Sequence, residues 1–328
     1  MQNIQNFPQN KVSPLVSFIV PCYNLPANML CECLDSIFAL SLSSTERQVI
    51  VVDDGSSQSP LAELSQYIDN IIYVRQPNKG LSAARNTGLS IATGKFIQFV
   101  DGDDKIISTV YEQCLDIVRF KNPDVVFFDY TDNQVPQRSL KTPEPVEGTY
   151  YLANNNLHAS AWGYIFKRNL LMGLRFTPGL LHEDEEFTPQ LILRAEKVYS
   201  TDYKAYFYRK RTGSIMNATN KKHIIKRLND FEHIIIHLRD IANTLPATDS
   251  LALQRRVAQL TMDYIYNIMT VSRSKKQLFS RIDRLSAQGL YPLPSRNYSM
   301  KYTWFRRLAN TKTGLILLME TLIIANKR

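Results

Sequence analysis

The feature that most limits the fold of this chain is an alternation, over its first 130 residues, of short apolar runs with helix-period segments. The runs VSFIV (16–20), QVIVV (48–52), IIYV (71–74), KFIQFV (95–100) and DVVFF (124–128) are β-branched and aromatic stretches of strand length. Helical patterns fall between them at about residues 30–40, 60–67, 81–93 and 108–120. Continuous apolar strands separated by helices predict βαβ units: an α/β, Rossmann-like, mostly parallel central sheet with helices on both faces. Ligands of such sheets gather at the carboxyl ends of the strands, so functional residues should directly follow the runs.

The segment 134–148 holds three prolines and reads as a connecting loop. From residue 221 onward, KKHIIKRLNDFEHIIIHLRDI and LALQRRVAQLTMDYIYNIM repeat apolar residues at spacings of three and four, which predicts a C-terminal helical appendage. No run approaches the roughly 18 to 20 apolar residues of a spanning helix, and the polar start MQNIQNFPQNKVSP lacks a secretory stretch, so a cytoplasmic location is expected. The cysteines, Cys22, Cys31, Cys33 and Cys114, have no CxxC spacing and are expected to be reduced. The formal net charge is +9, and it is lopsided: residues 209–328 hold 22 of the 39 lysines and arginines but 7 of the 30 acids. A basic half of this kind suits a polyanionic partner, either nucleic acid or an anionic membrane face.

Each early strand ends in polar groups. After VSFIV comes PCYN, where Tyr23 offers a ring beside a base. After QVIVV comes VDDGSS, in which Asp54 either accepts the imide N–H of uracil or caps a helix. In NKGLSAARN, Lys79 and Arg85 bracket a helix start near Leu81, where free amides and the dipole favour a diphosphate. The most informative stretch is FIQFVDGDDK. Asp101, Asp103 and Asp104 crowd three carboxylates into four residues, a costly arrangement unless a cation binds. Mg²⁺ or Mn²⁺ takes one or two carboxylates and completes its shell with phosphate oxygens, and Gly102 would let Asp101 and Asp103 approach one ion. A solvated acidic turn is the competing reading. His182, Glu183, Asp184, Glu185 and Glu186 read as the acidic first turn of a helix, and YRKRTGSIMN (208–217) as a cationic loop that either folds over phosphates or is plain surface.

The ordered set VSFIVPCYN, VIVVDDGSS, NKGLSAARNTGL, FIQFVDGDD, HEDEEF and YRKRTGSI resembles the nucleotide-sugar-dependent glycosyltransferases of family 2, of the bacterial capsule and O-antigen type, over residues 16–217. The resemblance implies the A-type glycosyltransferase fold and an inverting, metal-dependent hexosyltransferase. It divides the chain into a flexible N-terminus (1–14), a nucleotide-sugar-binding catalytic domain (15–217) and a basic helical region (218–328). It implies that Pro21, Tyr23 and Asp54 hold the nucleoside of a UDP-sugar. By the same resemblance Asp101 and Asp103 are the DxD pair holding Mn²⁺ or Mg²⁺, with Asp101 nearer the ribose or metal. Arg85 stands beside the diphosphate, with Lys79 on the same nucleotide-sugar side. Asp184 is the catalytic base, and Glu183 and Trp162 lie on the acceptor side. Tyr164 stands where relatives often carry a lysine after the glycine, and no QxxRW motif follows, so one sugar per encounter is implied rather than processive synthesis.

Residues 296–328 combine Arg296, Lys301, Arg306, Arg307, Lys312, Lys327 and Arg328 with Tyr298, Tyr302, Trp304 and Phe305. A basic, aromatic helix suits peripheral contact with the inner face of the cytoplasmic membrane, where a saccharide or lipid-linked acceptor would be met. The alternative is a helix packed on its own domain or in a homodimer. Two rivals come from other classes. Sugar-nucleotide synthesis by a nucleotidyltransferase needs a Gly-rich triphosphate loop, which PCYNLPAN is not. A basic nucleic-acid-binding protein needs a recognition motif, and none is present, so no nucleic-acid partner is expected.

Overall fold

The computed structural model describes residues 13–133, 142–210, 221–296 and 298–325. Residues 1–12 of the expected flexible start, 134–141 of the proline-containing loop, 211–217 of the cationic segment, and Lys327 and Arg328 lie outside the described residues. Eight strands form one sheet: β1 (Val16–Cys22), β2 (Arg47–Asp53), β3 (Ile72–Arg75), β4 (Phe96–Phe99), β5 (Lys105–Ile106), β6 (Val125–Thr131), β7 (Tyr164–Lys167) and β8 (Val198–Phe207). The helices are α1 (Ala27–Phe38), α2 (Leu81–Ile91), α3 (Ser108–Lys121), α4 (Gly148–Asn154), α5 (Glu183–Ile192), α6 (Lys221–Ala242), α7 (Ala247–Asn267), α8 (Lys275–Ala287), α9 (Met300–Ala309) and α10 (Lys312–Ala325).

The strand order is β3-β2-β1-β4-β7-β6-β8-β5. From β1 the chain winds outward through β2 to β3, then crosses back to place β4 on the other side of β1, all in parallel. That reversal is a topological switch point, and the crevice outside the carboxyl ends of β1 and β4 is where such sheets take ligands. Every residue of β1 and of β4 is buried, as continuous apolar runs require of strands covered on both faces. Close packing on this half is set by Gly88 of α2, where an added Cβ would lie 2.3 Å from Ile19 Cγ2. Beyond β4 the sheet turns mixed: β7 runs antiparallel to β4 and β6 antiparallel to β7. The parallel part of the sheet is β3-β2-β1-β4.

One expected helix is absent. Residues 60–67 form turns that lead into a 3₁₀ segment, Ser65–Asn70. A single helical turn gains little by itself, and here Tyr67 stacks on Phe38 at 5.7 Å and donates its hydroxyl to Asp35 at 2.7 Å, so packing on α1 dictates the backbone.

The chain divides into two compact units, Met1–Thr142 with Tyr164–Met172 and Thr201–Arg209, and Pro143–Gly163 with Gly173–Ser200 and Lys210–Arg328. This differs from the boundary expected at residue 217. In the second unit α4 and α5 pack with α7 and α6, so the segments bearing Trp162 and Asp184 belong to the helical part. Its core includes Phe231, Leu238, Leu253, Tyr264 and Leu285, together with Tyr298, Ala309, Leu315 and Met319 from the last two helices and the residues leading into them. The four cysteines are free thiols, and burial first, then the charges of Asp53 and Asp54, push the Cys22 thiol up to about 12. Among the described residues no helix is long and apolar enough to cross a membrane.

Candidate active site

The loops at the carboxyl ends of β1 and β2 are stitched to each other. Asn24, in the left-handed region at φ 48°, donates its amide to Ser56 Oγ at 2.9 Å, and its Oδ1 accepts from Ser57 N at 2.8 Å and Ser57 Oγ at 3.0 Å. Pro21 is buried in the last part of β1 beside Val52, whereas Tyr23, one residue past the strand, is 48% exposed. Tyr23 is thus on the surface and Pro21 within the sheet.

Both aspartates of VDDGSS are enclosed. Asp53 accepts from Ser56 N at 2.8 Å and Tyr73 Oη at 2.9 Å and pairs with Arg75 Nε at 3.2 Å. Asp54 is 4% exposed, and its carboxylate accepts from Gln76 Nε2 at 2.7 Å, Lys79 N at 3.0 Å and Gly80 N at 2.7 Å. The side chain holds the 76–80 turn that leads into α2. Three of its roughly four acceptor sites are filled from within the fold, so a uracil imide would have to compete for the remainder. Lys79 is exposed and contributes its backbone to Asp54.

Arg85 lies beside the DGDD turn. It is 3% exposed, its Nη2 pairs with Asp101 Oδ1 at 3.2 Å, and its guanidinium lies over the Phe99 ring at 5.8 Å. Its place in α2 brings it to the carboxylate of Asp101, two residues beyond β4. A buried guanidinium needs such a partner, because an uncompensated charge there is costly.

The β4 exit is a tight turn in which Asp104 N donates to Asp101 O at 2.9 Å. Gly102 packs closely on the β1 exit: an added Cβ would lie 2.9 Å from Leu25 Cδ1 and 3.1 Å from Pro21 O. Asp101 and Asp103 are half-buried and Asp104 is buried. The Asp104 carboxylate faces inward, accepting Arg209 N at 2.8 Å and Tyr206 Oη at 2.9 Å. Burial, then the charge of Asp101, pushes Asp104 up to about 8. The crowding read from DGDD is thus still felt by the third carboxyl, which Tyr206 and Arg209 hold inward.

Among the described residues no three His, Cys, Asp or Glu side chains form a set that could hold a metal by themselves. The donor set present is the Asp101 and Asp103 pair. Two hard carboxylate oxygens on one turn fit Mg²⁺ or Mn²⁺, which completes its shell with water and phosphate oxygens, and would not fit a site built wholly of protein ligands.

Glu183, Asp184 and Trp162 belong to the second unit. Trp162 is buried beside His158, with ring centroids 5.8 Å apart. Asp184 is half-buried in the first turn of α5, its Oδ1 accepting Glu185 N at 2.9 Å, where the dipole favours a carboxylate. Its neighbours are structural: Glu185 pairs with the buried Arg256, and Glu186 accepts Thr177 Oγ1 and meets His237 Nδ1, each at 2.5 Å. The acidic run is thus anchored, not a solvated turn.

The sequence profile described as Glycosyl transferase family 2 matches residues 17–172, the stretch holding β1 to β7 and the DGDD turn. The glycosyltransferase GlyG of Streptococcus pneumoniae serotype 4 is 30% identical over 225 residues, 62% of this chain and 74% of GlyG. The chain belongs to glycosyl transferase family 2. Glycosyltransferase GlyA of the same organism is 30% identical over 270 residues, 76% of this chain but 38% of GlyA, so the chain spans well under half of that relative. A poly(ribitol-phosphate) beta-glucosyltransferase of Bacillus spizizenii is 28% identical over 214 residues, 62% of this chain and 33% of that protein. Staphylococcus aureus TarS 1–349 in complex with UDP-GlcNAc aligns with a TM-score of 0.62 at 22% identity, covering 95% of this chain and 91% of that one. PcManGT, a mannosyltransferase from Pyrobaculum calidifontis, in complex with GDP-Man and Mn²⁺, aligns at 0.57 and 16%, covering 96% and 88%. At those identities the likeness is one of fold, the A-type fold of this family. Family membership favours transfer of sugars over both rivals, sugar-nucleotide synthesis and nucleic-acid binding.

Sequence reasoning missed Glu32, Gln76 and Tyr206, and did not foresee that Asn24 and Arg209 hold neighbouring loops in place. For Tyr206 the pattern misleads: in DYKAY exposed Asp202 and Lys204 alternate with buried Tyr203 and Ala205, a period that would expose Tyr206, whereas Tyr206 is buried where β8 pairs with β5.

Proposed function

We propose that this family 2 member is an inverting, metal-dependent transferase that moves one sugar from a UDP-sugar to an acceptor hydroxyl in bacterial surface polysaccharide synthesis. The observation that carries this reading is the Asp101–Asp104 turn: two half-buried carboxylates at the switch point of the sheet, on a backbone fixed from below. Asp101 and Asp103 would hold the metal, with Asp103 the direct ligand. When bound, Mn²⁺ or Mg²⁺ supplies Lewis-acid stabilisation to the departing diphosphate. Arg85 keeps Asp101 oriented, Tyr23 and the Pro21 wall receive the nucleoside, and Lys79 presents its ammonium to phosphate. Asp54 serves that site by holding the loop which carries Lys79. Asp184 takes the proton of the acceptor hydroxyl as it attacks the anomeric carbon, a single displacement that inverts configuration. Glu183 and Trp162 shape the acceptor side.

The UDP-GlcNAc complex of TarS supports a UDP donor, the Mn²⁺ complex of PcManGT supports the metal, and the poly(ribitol-phosphate) relative supports a surface-polymer pathway. Thermal protection and hydrolysis are the tests of the donor. Across UDP-, GDP- and dTDP-sugars with Mn²⁺, a UDP-sugar should give the largest rise in Tm and the fastest hydrolysis, and EDTA should remove both. Protection by GDP-sugars alone, or by none of the panel, sinks the donor assignment.

Contact with the inner face of the cytoplasmic membrane is proposed for the outer stripe of α9. Met300 is 78% exposed and Trp304 58%, with the Arg307 guanidinium over the indole at 5.5 Å and Lys301 exposed beside them. Much of the basic half is engaged internally: Arg281 and Arg284 pair with Glu232, Arg256 with Glu185, and Lys226 with Asp230. What remains on α9 is a small cationic and aromatic surface of the kind that lies in a bilayer interface. Because Tyr298 to Met319 help build the helical core, deleting the tail would unfold it, and point variants are the proper test. The full chain should float with anionic vesicles, and Met300→Ser with Trp304→Ser should remain in the pellet fraction of the gradient. Equal flotation of the two, or loss of a homodimer in the variant without any vesicle binding by wild type, overturns membrane contact.

A further inference from the structure

Below the DGDD turn lies a polar connection that no sequence motif announces. Strand β5 follows the turn directly and pairs antiparallel with β8, Ile106 opposite Tyr206. This pairing places Tyr206, fully buried, under the turn. Its hydroxyl oxygen accepts the Asp101 amide at 3.1 Å, and its hydrogen goes to Asp104 Oδ2 at 2.9 Å, so one group holds both ends of the four-residue turn. Arg209, two residues beyond β8, adds its own amide to Asp104 Oδ1 at 2.8 Å and its Nε to the Asp103 carbonyl at 2.9 Å. Its guanidinium is braced in turn by Glu32, at 2.7 Å from Nη2, which also takes Lys105 Nζ at 2.9 Å. The Asp101 amide and the Asp103 carbonyl are thereby tied to β8 and the residues just beyond it.

We propose that Tyr206 is a positioning residue for the carboxylate turn: its hydroxyl fixes the backbone from which Asp101 and Asp103 project, and so sets the affinity for a divalent cation. The inference rests on the metal reading above. A buried side chain cannot touch nucleotide or cation, so its effect passes through the turn. The physical ground is that a flexible turn must lose entropy to bring two carboxylates onto one ion, whereas a pinned turn has lost it on folding.

Tyr206→Phe removes one buried hydroxyl and leaves the ring. Its counterpart, Tyr203→Phe, removes a hydroxyl from the same strand at a place facing Thr142. Mn²⁺ titrated into the protein with UDP present should bind about 10- to 100-fold more weakly to Tyr206→Phe, the range for loss of a group that orients metal ligands. Tyr203→Phe should match wild type. Amide exchange at Asp101 and Asp104 should quicken in Tyr206→Phe and not in Tyr203→Phe. Unchanged Mn²⁺ affinity, or weaker affinity without faster exchange, overturns the proposal. If wild type binds no Mn²⁺ with UDP, the metal reading falls, and exchange alone decides whether Tyr206 orders the turn. Should Tyr206→Phe not fold, Arg209→Lys, which loses the bond to the Asp103 carbonyl, is read by exchange in its place, and an unchanged rate there overturns the clamp.

Discussion

Asp103→Ala is expected to lower kcat/KM for sugar transfer by roughly 10³-fold, because several kcal/mol of charge stabilisation on the leaving diphosphate go with the metal. Asp103 is the residue for this experiment because it is half-buried on the turn, while Asp104 is turned inward to Tyr206 and Arg209. Truncating Asp104 would disturb the fold and the site together. Truncating Asp103 leaves its carbonyl free to keep the bond from Arg209 Nε. The variant should therefore melt within a few degrees of wild type while requiring far more Mn²⁺ for half-maximal rate. Asp103→Asn, which keeps the size and loses the charge, should behave alike. Activity within threefold of wild type at equal Mn²⁺ would rule Asp103 out as a ligand.

Asp184→Asn should lower kcat by about 10²- to 10⁴-fold, the usual worth of a general base, with donor KM changed by less than about threefold. The split between kcat and KM separates chemistry from binding. The setting of Asp184 makes the result interpretable. Glu185 is held by Arg256, Glu186 by Thr177 and His237, and Thr188 donates to the Ala159 carbonyl at 2.7 Å, so α5 is anchored at three points that exclude Asp184. Replacing one oxygen with an amide nitrogen should leave that scaffold intact. A kcat within tenfold of wild type would assign the base to another group.

The parallel half of the sheet was legible because VSFIV, QVIVV and FIQF are apolar on both faces, a pattern a solvent-facing strand could not carry. The helical C-terminus was legible for the complementary reason, a repeat at three and four. Strands β5 and β7 were not: β5 has two residues and no period, and both take their place from antiparallel partners distant in sequence, β8 and β4. The turn at 60–67 was misread as a helix because its backbone is decided by where Tyr67 packs.

For the candidate site, the sequence by itself determined which residue types arrive at the strand ends. Asp101 and Asp103 follow β4, Asp54 follows β2 and Tyr23 follows β1 because βαβ winding delivers every parallel strand to the same edge. The tertiary structure alone decided what each does there. Asp54 and Arg85 are equally polar in sequence, yet one is spent on three donors of a neighbouring loop and the other on Asp101. Of three carboxylates in four residues, two are half-buried and the third is held inward because Tyr206, more than a hundred positions away, lies beneath them. Local spacing fixes composition and period, but a buried polar group must find its partner wherever the fold supplies one, and that search runs through space, not along the chain.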